Sequence, residues 1–262
     1  MIASLPMYDR PETRLANDRF WNGIREILSR TLPERERNAL PESLDRDGDS
    51  WEIWRSPDLI FSQTCGLPYR TRLADVAVLI GTPDYGLPGC PPGRYNSVFV
   101  MRSGDGRIDP AEWPRLLLAC NESGSQSGWA AAQAHLLSFG GGFDRVTLTG
   151  SHRTSAIAVA EGGADIAAID AQTWRMILRW DGFAASLKEV ARTRPTPGLP
   201  FICAAGRPRR LLRDAVATAI RELDMADREC LGLRGLADIP PEAYGETPAP
   251  PFPEDLAAAE AR

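Results

Sequence analysis

The chain has 262 residues, 43% hydrophobic and 25% charged, enough apolar content to bury one large core or two smaller ones. Its formal net charge is −5, with 30 basic residues dispersed among 35 acidic ones, which excludes the basic stripe of a nucleic-acid-binding surface. No apolar run approaches the roughly 18 to 20 residues of a membrane span, and five cysteines without a CxxC spacing read as reduced thiols, not as a disulfide framework or a zinc site.

Met1-Ile2-Ala3-Ser4-Leu5-Pro6-Met7-Tyr8 carries no basic segment, and Pro6 interrupts its apolar stretch before charges arrive. It does not read as a secretory leader, so the expected location is the cytoplasm, or the periplasm if a leader has been removed. Residues 2–5 form a predicted strand, and 11–30 a helix with Leu15, Phe20, Ile24, Ile27 and Leu28 at helical spacing. Residues 31–50, charged and broken by Pro33, Pro41 and Gly48, read as loop or weak helix. A buried strand at 58–62 ends in Gln63-Thr64-Cys65-Gly66, and another at 76–80 closes on Gly81-Thr82-Pro83-Asp84-Tyr85-Gly86.

After a Pro/Gly-rich passage, a strand at 97–101 opens a second lobe. Its further strands, at 115–120, 146–149 and 165–169, alternate with helices at 128–138 and 154–161. The stiff crossover 193–200 leads to a strand at 201–205 and a helix at 209–223 with Leu212, Val216, Ile220 and Leu223 on one face. From Gly245 the Pro-, Ala- and Glu-rich tail, 245–262, is expected to be disordered.

This alternation predicts an α/β fold of two lobes, 1–94 with 196–244 and 95–195, each a mainly parallel sheet flanked by helices. Ligands of such sheets lie beyond the carboxyl ends of the strands, which puts the expected cleft between the lobes. Two strand-turn-helix segments carry the chemistry there. Leu116 to Cys120 runs into Asn121-Glu122-Ser123-Gly124-Ser125-Gln126-Ser127-Gly128-Trp129, and Val146 to Thr149 runs into Gly150-Ser151-His152-Arg153-Thr154. Each places small hydroxyl residues at a helix start, where unpaired backbone N–H groups and a partial positive charge suit an anion.

Serine is also a common helix cap, but three polar side chains between glycines exceed what a cap needs. His152 at the second start suits a donor to the anion, whereas His135 reads as a surface or core-edge residue. Asp170 at a buried strand end either binds a ligand hydroxyl or amine or caps a backbone turn. Tyr8 and Tyr95 are candidate aromatic walls, and Gln63 and Thr64 a polar strand end. Cys65 reads as structural, and Ser125, His152 and Asp170, though the residue types of a hydrolase triad, fit no hydrolase order or spacing.

On Tyr95-Asn96-Ser97-Val98, Ser125-Gln126-Ser127-Gly128-Trp129, Thr149-Gly150-Ser151-His152 and the run Gly162-Gly163-Ala164-Asp165-Ile166-Ala167-Ala168-Ile169-Asp170, the chain resembles the phosphate, phosphite and phosphonate substrate-binding proteins of ABC importers. The resemblance extends to about residue 240. It implies the type II periplasmic-binding-protein fold and a small anionic ligand held by Gly124, Ser125, Gln126, Ser127, Gly128 and His152. It implies no cofactor or metal, and a permease partner if the protein is exported. The family reads Ser-Thr-Ser-Gly at the first turn, and Gln126 stands here for threonine. Acidic positions that hold a ligand amine in some members fall near Gln172 and Leu199. An enzyme on the same scaffold, of the kind that makes thiamine pyrimidine or menaquinone precursors, stays open as the alternative.

Overall fold

The computed structural model describes residues 1–248 and 250–252. The chain divides into two compact units, residues 1–94 with 197–244, and 95–196 with the described residues from 245 onward. In chain order the first unit contains β1 (Ile2–Ala3), α1 (Arg14–Thr31), α2 (Glu34–Arg37), α3 (Ser50–Arg55), β2 (Leu59–Gln63), α4 (Gly66–Pro68) and β3 (Ala77–Asp84). After β4 (Arg94–Tyr95), the second unit runs through β5 (Ser97–Arg102), β6 (Leu117–Cys120), α5 (Ala131–Leu137), β7 (Arg145–Leu148), α6 (His152–Ala160), β8 (Ile166–Asp170), α7 (Ala171–Trp180) and β9 (Leu187–Arg192). Past β10 (Thr196–Pro197) the first unit is completed by β11 (Phe201–Ala204), α8 (Arg209–Glu222), α9 (Met225–Leu231) and β12 (Gly235–Ala237).

The first unit's sheet has the order β1-β2-β11-β3-β12, the second's β7-β6-β8-β5-β9. Both are mixed, which corrects the expectation of mainly parallel pairing. β1 pairs parallel with β2, and β6 parallel with β7 and β8. β11 runs antiparallel to β2 and β3, and β5 antiparallel to β8 and β9. The reason lies in where these strands begin. Phe201 opens β11 opposite Gln63, the last residue of β2, and Ser97 opens β5 opposite Asp170, the last residue of β8. A strand that enters at the carboxyl edge of its neighbour must run the other way.

In the first unit α1 turns Phe20, Trp21, Ile24 and Leu28 inward. Phe61 meets Phe201 at 5.0 Å and stacks on Trp21 at 5.9 Å between ring centroids, so β2, β11 and α1 share one aromatic core. Each such ring stabilises the fold by about 1.5–3 kcal/mol on burial. Leu15, expected on the same stripe, is 66% exposed because Ala16 and Asn17 take the inward phase of the helix. The second unit centres on Phe99, Trp113, Leu118, Trp129, Leu136 and Ile166, all buried.

The tail departs from its expected disorder as far as it is described. Phe252 is buried, its ring edge-on to Trp129 at 4.7 Å, and the Pro250 carbonyl accepts from Trp129 Nε1 at 3.0 Å. An apolar ring with an apolar partner offsets the ordering of a proline-rich segment. Residues 249 and 253–262 of the same expectation lie outside the described residues. Among the described residues no helix is long and apolar enough to cross a membrane.

Candidate functional site

β6 delivers its last residue, Cys120, at the carboxyl edge of the second unit's sheet, and Ser125 then caps the next helix by accepting from Gly128 N at 2.9 Å. The first turn, Gln126–Ala130, is π-helical: Ala130 N reaches back five residues to Ser125 O at 3.1 Å, and Ala131 N to Gln126 O. Such wide turns are rare in helices and often mark functional sites, and the chain has a second one at Tyr69–Leu73. Glycine at 128 leaves room for the Asn121 side chain, because a Cβ would stand 2.0 Å from Asn121 Oδ1.

β7 ends beside β6, and Gly150, at φ +82°, turns the chain into α6 through a conformation that glycine adopts without penalty. Ser151 caps α6 by accepting from Thr154 N at 3.1 Å. The next residue joins the two helix starts: His152 Nε2 lies 2.7 Å from Ser127 Oγ. From the sheet edge below, Ser97 Oγ donates to Ser127 O at 2.9 Å. The Ser127–His152 contact thus brings the Gln126–Ala130 turn beside the start of α6.

Burial pushes the His152 imidazole down to about 4, with the backbone of Ala168 pulling the other way. The ring is thus neutral near pH 7, a hydrogen-bonding group and a poor general base. Arg153, the next residue of α6, turns its guanidinium to Asp181 at 2.8 Å. The cluster consists of uncharged donors. Among the described residues two buried polar atoms here have no hydrogen-bond partner, the donor Gln126 Nε2 and the acceptor Asn121 Oδ1. Each such group costs about 1–3 kcal/mol when left unsatisfied, and of the two only the Gln126 donor suits an anion.

The other expected residues divide between the two units. Gly124 is exposed just before the cap. Asp170, buried at 2% exposure, accepts from Gln172 N at 2.7 Å and Thr173 N at 3.0 Å, so of its two expected roles the structure shows the cap of α7. Tyr95 is buried at the start of the second unit. In the first unit Tyr8 packs edge-on against Tyr85 at 5.3 Å, and Gln63 Nε2 donates to Tyr85 Oη at 3.0 Å and to Leu199 O at 3.1 Å. Thr64 is fully buried, and its hydroxyl has no hydrogen-bond partner among the described residues. Tyr8, Gln63 and Tyr85 border a small, mainly apolar cavity with Leu5, Phe20 and Phe201.

Residues 59–240 match the family model described as the periplasmic substrate-binding protein of phosphonate ABC transporters. The chain belongs to this family. Among solved structures, this phosphonate-binding family member is similar to PhnD1 from Prochlorococcus marinus in complex with methylphosphonate, at 15% identity and a TM-score of 0.69, over 93% of this chain and 94% of that one. It is similar to XAC2383 from Xanthomonas citri bound to chloride, at 14% identity and 0.64, over 99% and 96%. A binding protein component of an ABC phosphonate transporter from Pseudomonas aeruginosa follows at 14% and 0.61, over 90% and 80%. These likenesses establish the periplasmic-binding-protein fold. No curated protein sequence matches the chain.

Three residues in contact with the expected ones lie outside the sequence expectation. Ser97 sits inside the Tyr95-Asn96-Ser97-Val98 motif, yet its bond to Ser127 O follows only from the antiparallel entry of β5. Asn121 belongs to the polar turn, but its packing against Gly128 has no sequence signature. Tyr85, at the close of β3, was legible as a polar strand end and nothing more.

Proposed function

We propose that the protein is a solute receptor whose second unit holds a phosphonate- or phosphate-like oxyanion at the two helix starts. Tyr8, Gln63 and Thr64 of the first unit form the opposite wall of a cleft that closes on the ligand. The observation that carries this reading is the Ser127–His152 hydrogen bond, which ties the start of the Gln126–Ala130 turn to the start of α6. Two helix starts tied in this way direct their unpaired amides and partial positive charges at one anion. The Ser125 hydroxyl and the Gln126 amide supply further donors, and the Ser127–His152 pair supplies one more, since one of its two protons is held in the bond between them. Gly124 and Tyr95 flank them. Family membership supports the same ligand class, and the family's periplasmic description favours the periplasmic of the two expected locations, with an ABC permease as partner. The low basicity of His152 supports holding over turnover.

Calorimetric titration with methylphosphonate and inorganic phosphate, with acetate and methanesulfonate as comparisons, tests the ligand class. Saturable heat with the first two is expected, and none with any of the four overturns the oxyanion assignment. With the better ligand, small-angle scattering should show a smaller radius of gyration, closure being carried by torsions at 95–97 and 193–200. Hydrogen exchange should slow at 124–128, at 151–153 and near Gln63. Protection confined to one unit overturns the two-walled cleft even if the anion binds.

A further inference from the structure

Resting on that reading of the ligand turn, we infer that the C-terminal residues Pro250 and Phe252 are positioning residues that hold the turn in its binding-competent π-helical form. The turn Gln126–Ala130 spends one residue more per hydrogen-bonded ring than an α-helix. Collapse to α-helical bonding would shift the register by one residue, about 100° of rotation, and carry Gln126 and Ser127 away from His152. Something must oppose that collapse. Within the turn, Trp129 is the large side chain, 1% exposed. Its ring is fixed from one side by the second unit's core, where it joins Phe99, Trp113 and Leu136. The C-terminal residues complete the enclosure: Pro250 O takes the indole N–H at 3.0 Å and Phe252 lies edge-on at 4.7 Å. Phe252, 4% exposed, is itself a member of that core.

An indole fastened at both its polar edge and its face cannot rotate with the backbone, so the register of the turn is locked through Trp129. The chain reaches this place directly after Tyr244, the last residue assigned to the first unit, so the fastening is made by the segment that leaves that unit. Occupancy of the ligand turn and docking of residues 250–252 are then coupled, each favouring the other by the same factor.

The test uses the full chain and its Phe252→Ala, Phe252→Leu and Trp129→Phe variants. Hydrogen exchange of the 126–131 amides is read without ligand, and affinity for methylphosphonate and for inorganic phosphate by calorimetry. Phe252→Ala should speed exchange in the turn. If the competent turn falls to about a tenth of the population, apparent affinity falls about tenfold. Phe252→Leu, which keeps apolar volume, should recover most of both, and Trp129→Phe, which removes the N–H donor and one of the two fused rings, should show the same pair of effects. Should Phe252→Ala not fold, the Trp129→Phe and Phe252→Leu pair decides by the same measurements. Unchanged exchange in the turn overturns the inference, and so does faster exchange with unchanged affinity, which would leave the C-terminal residues a packing role alone. If no variant and not the parent binds either probe, the ligand class fails, while the exchange data still decide whether the turn is held from the C-terminus.

Discussion

Replacing Gly128 by alanine sets two effects of known size against each other. The added methyl would lie 2.0 Å from Asn121 Oδ1 and 3.2 Å from Ser125 Oγ, so the Asn121 side chain must swing out or the turn must shift. Overpacking of this kind costs about 1–3 kcal/mol. Against it stands a gain of about 0.5–1 kcal/mol for removing glycine from helical backbone. The clash wins, with a net loss of about 1–2 kcal/mol, which at about 2–4 °C per kcal/mol lowers the melting temperature by a few degrees. In an Asn121→Ala background the clashing atom is gone, and the same Gly128→Ala change should stabilise by about 0.5–1 kcal/mol. Thermal and urea unfolding of the parent, both single variants and the double variant close the cycle. A Gly128→Ala effect of the same sign and size in both backgrounds would refute the argument, because it would mean that Asn121 does not occupy the space over Gly128.

Joint replacement of Ser125 and Ser127 by alanine should weaken methylphosphonate binding by about 1.5–3 kcal/mol for each hydroxyl that bonds the anion, and cost about 1 kcal/mol of stability through the lost cap of Gly128 N; unchanged affinity in calorimetry removes both from the site. His152→Asn keeps a donor of similar reach and should retain more affinity than His152→Ala, so equal losses argue against a donor role. Because burial holds the His152 pKa at about 4 against 6.5 for a free imidazole, the unfolded chain binds more protons between those values, and stability should fall as pH drops from 6.5 toward 4. His135 is lowered by burial in the same direction, so the contribution of His152 is the difference between the parent and His152→Asn, and parallel pH profiles for the two proteins would contradict it. Asp170→Ala should destabilise α7 by about 0.5–2 kcal/mol through loss of its cap; helix-preserving rescue by Asp170→Asn is the accompanying check, and no loss of stability would rule out the capping role.

Strands were legible wherever an apolar run ended in a polar turn, as at Gln63, Cys120 and Leu148. What escaped was short or half-exposed: β9, with Lys188 and Glu189 among its six residues, and the three-residue β12 carry too weak a period to announce themselves. The helix of α7 is absent from the expected elements although Trp174 and Ile177 at helical spacing behind the Asp170 cap mark it. Strand direction depends on which edge the chain enters, a tertiary fact that no local pattern encodes, and so the sheets proved mixed. In the site the residue types were readable, but the bond between Ser127 and His152 joins positions 25 residues apart, and the π-helical register of 126–130 looks like an ordinary helix start in sequence. Proline-rich composition suggested disorder after Gly245, and it does not reveal the indole of Trp129 against which Phe252 packs.

The discontinuous first unit has a consequence for synthesis on the ribosome. Its sheet places β11 between β2 and β3, so the middle strand is made only after the whole of residues 95–196 has emerged. The second unit's sheet is complete within that contiguous stretch, and its contacts close shorter loops. Nascent chains stalled beyond residue 196 should therefore carry a protease-resistant second unit while residues 1–94 wait with β2 and β3 exposed along their inner edges. That interval, in which unpaired strand edges meet the cytosol, is where a chaperone would bind this chain and where slowed elongation would expose it longest to aggregation.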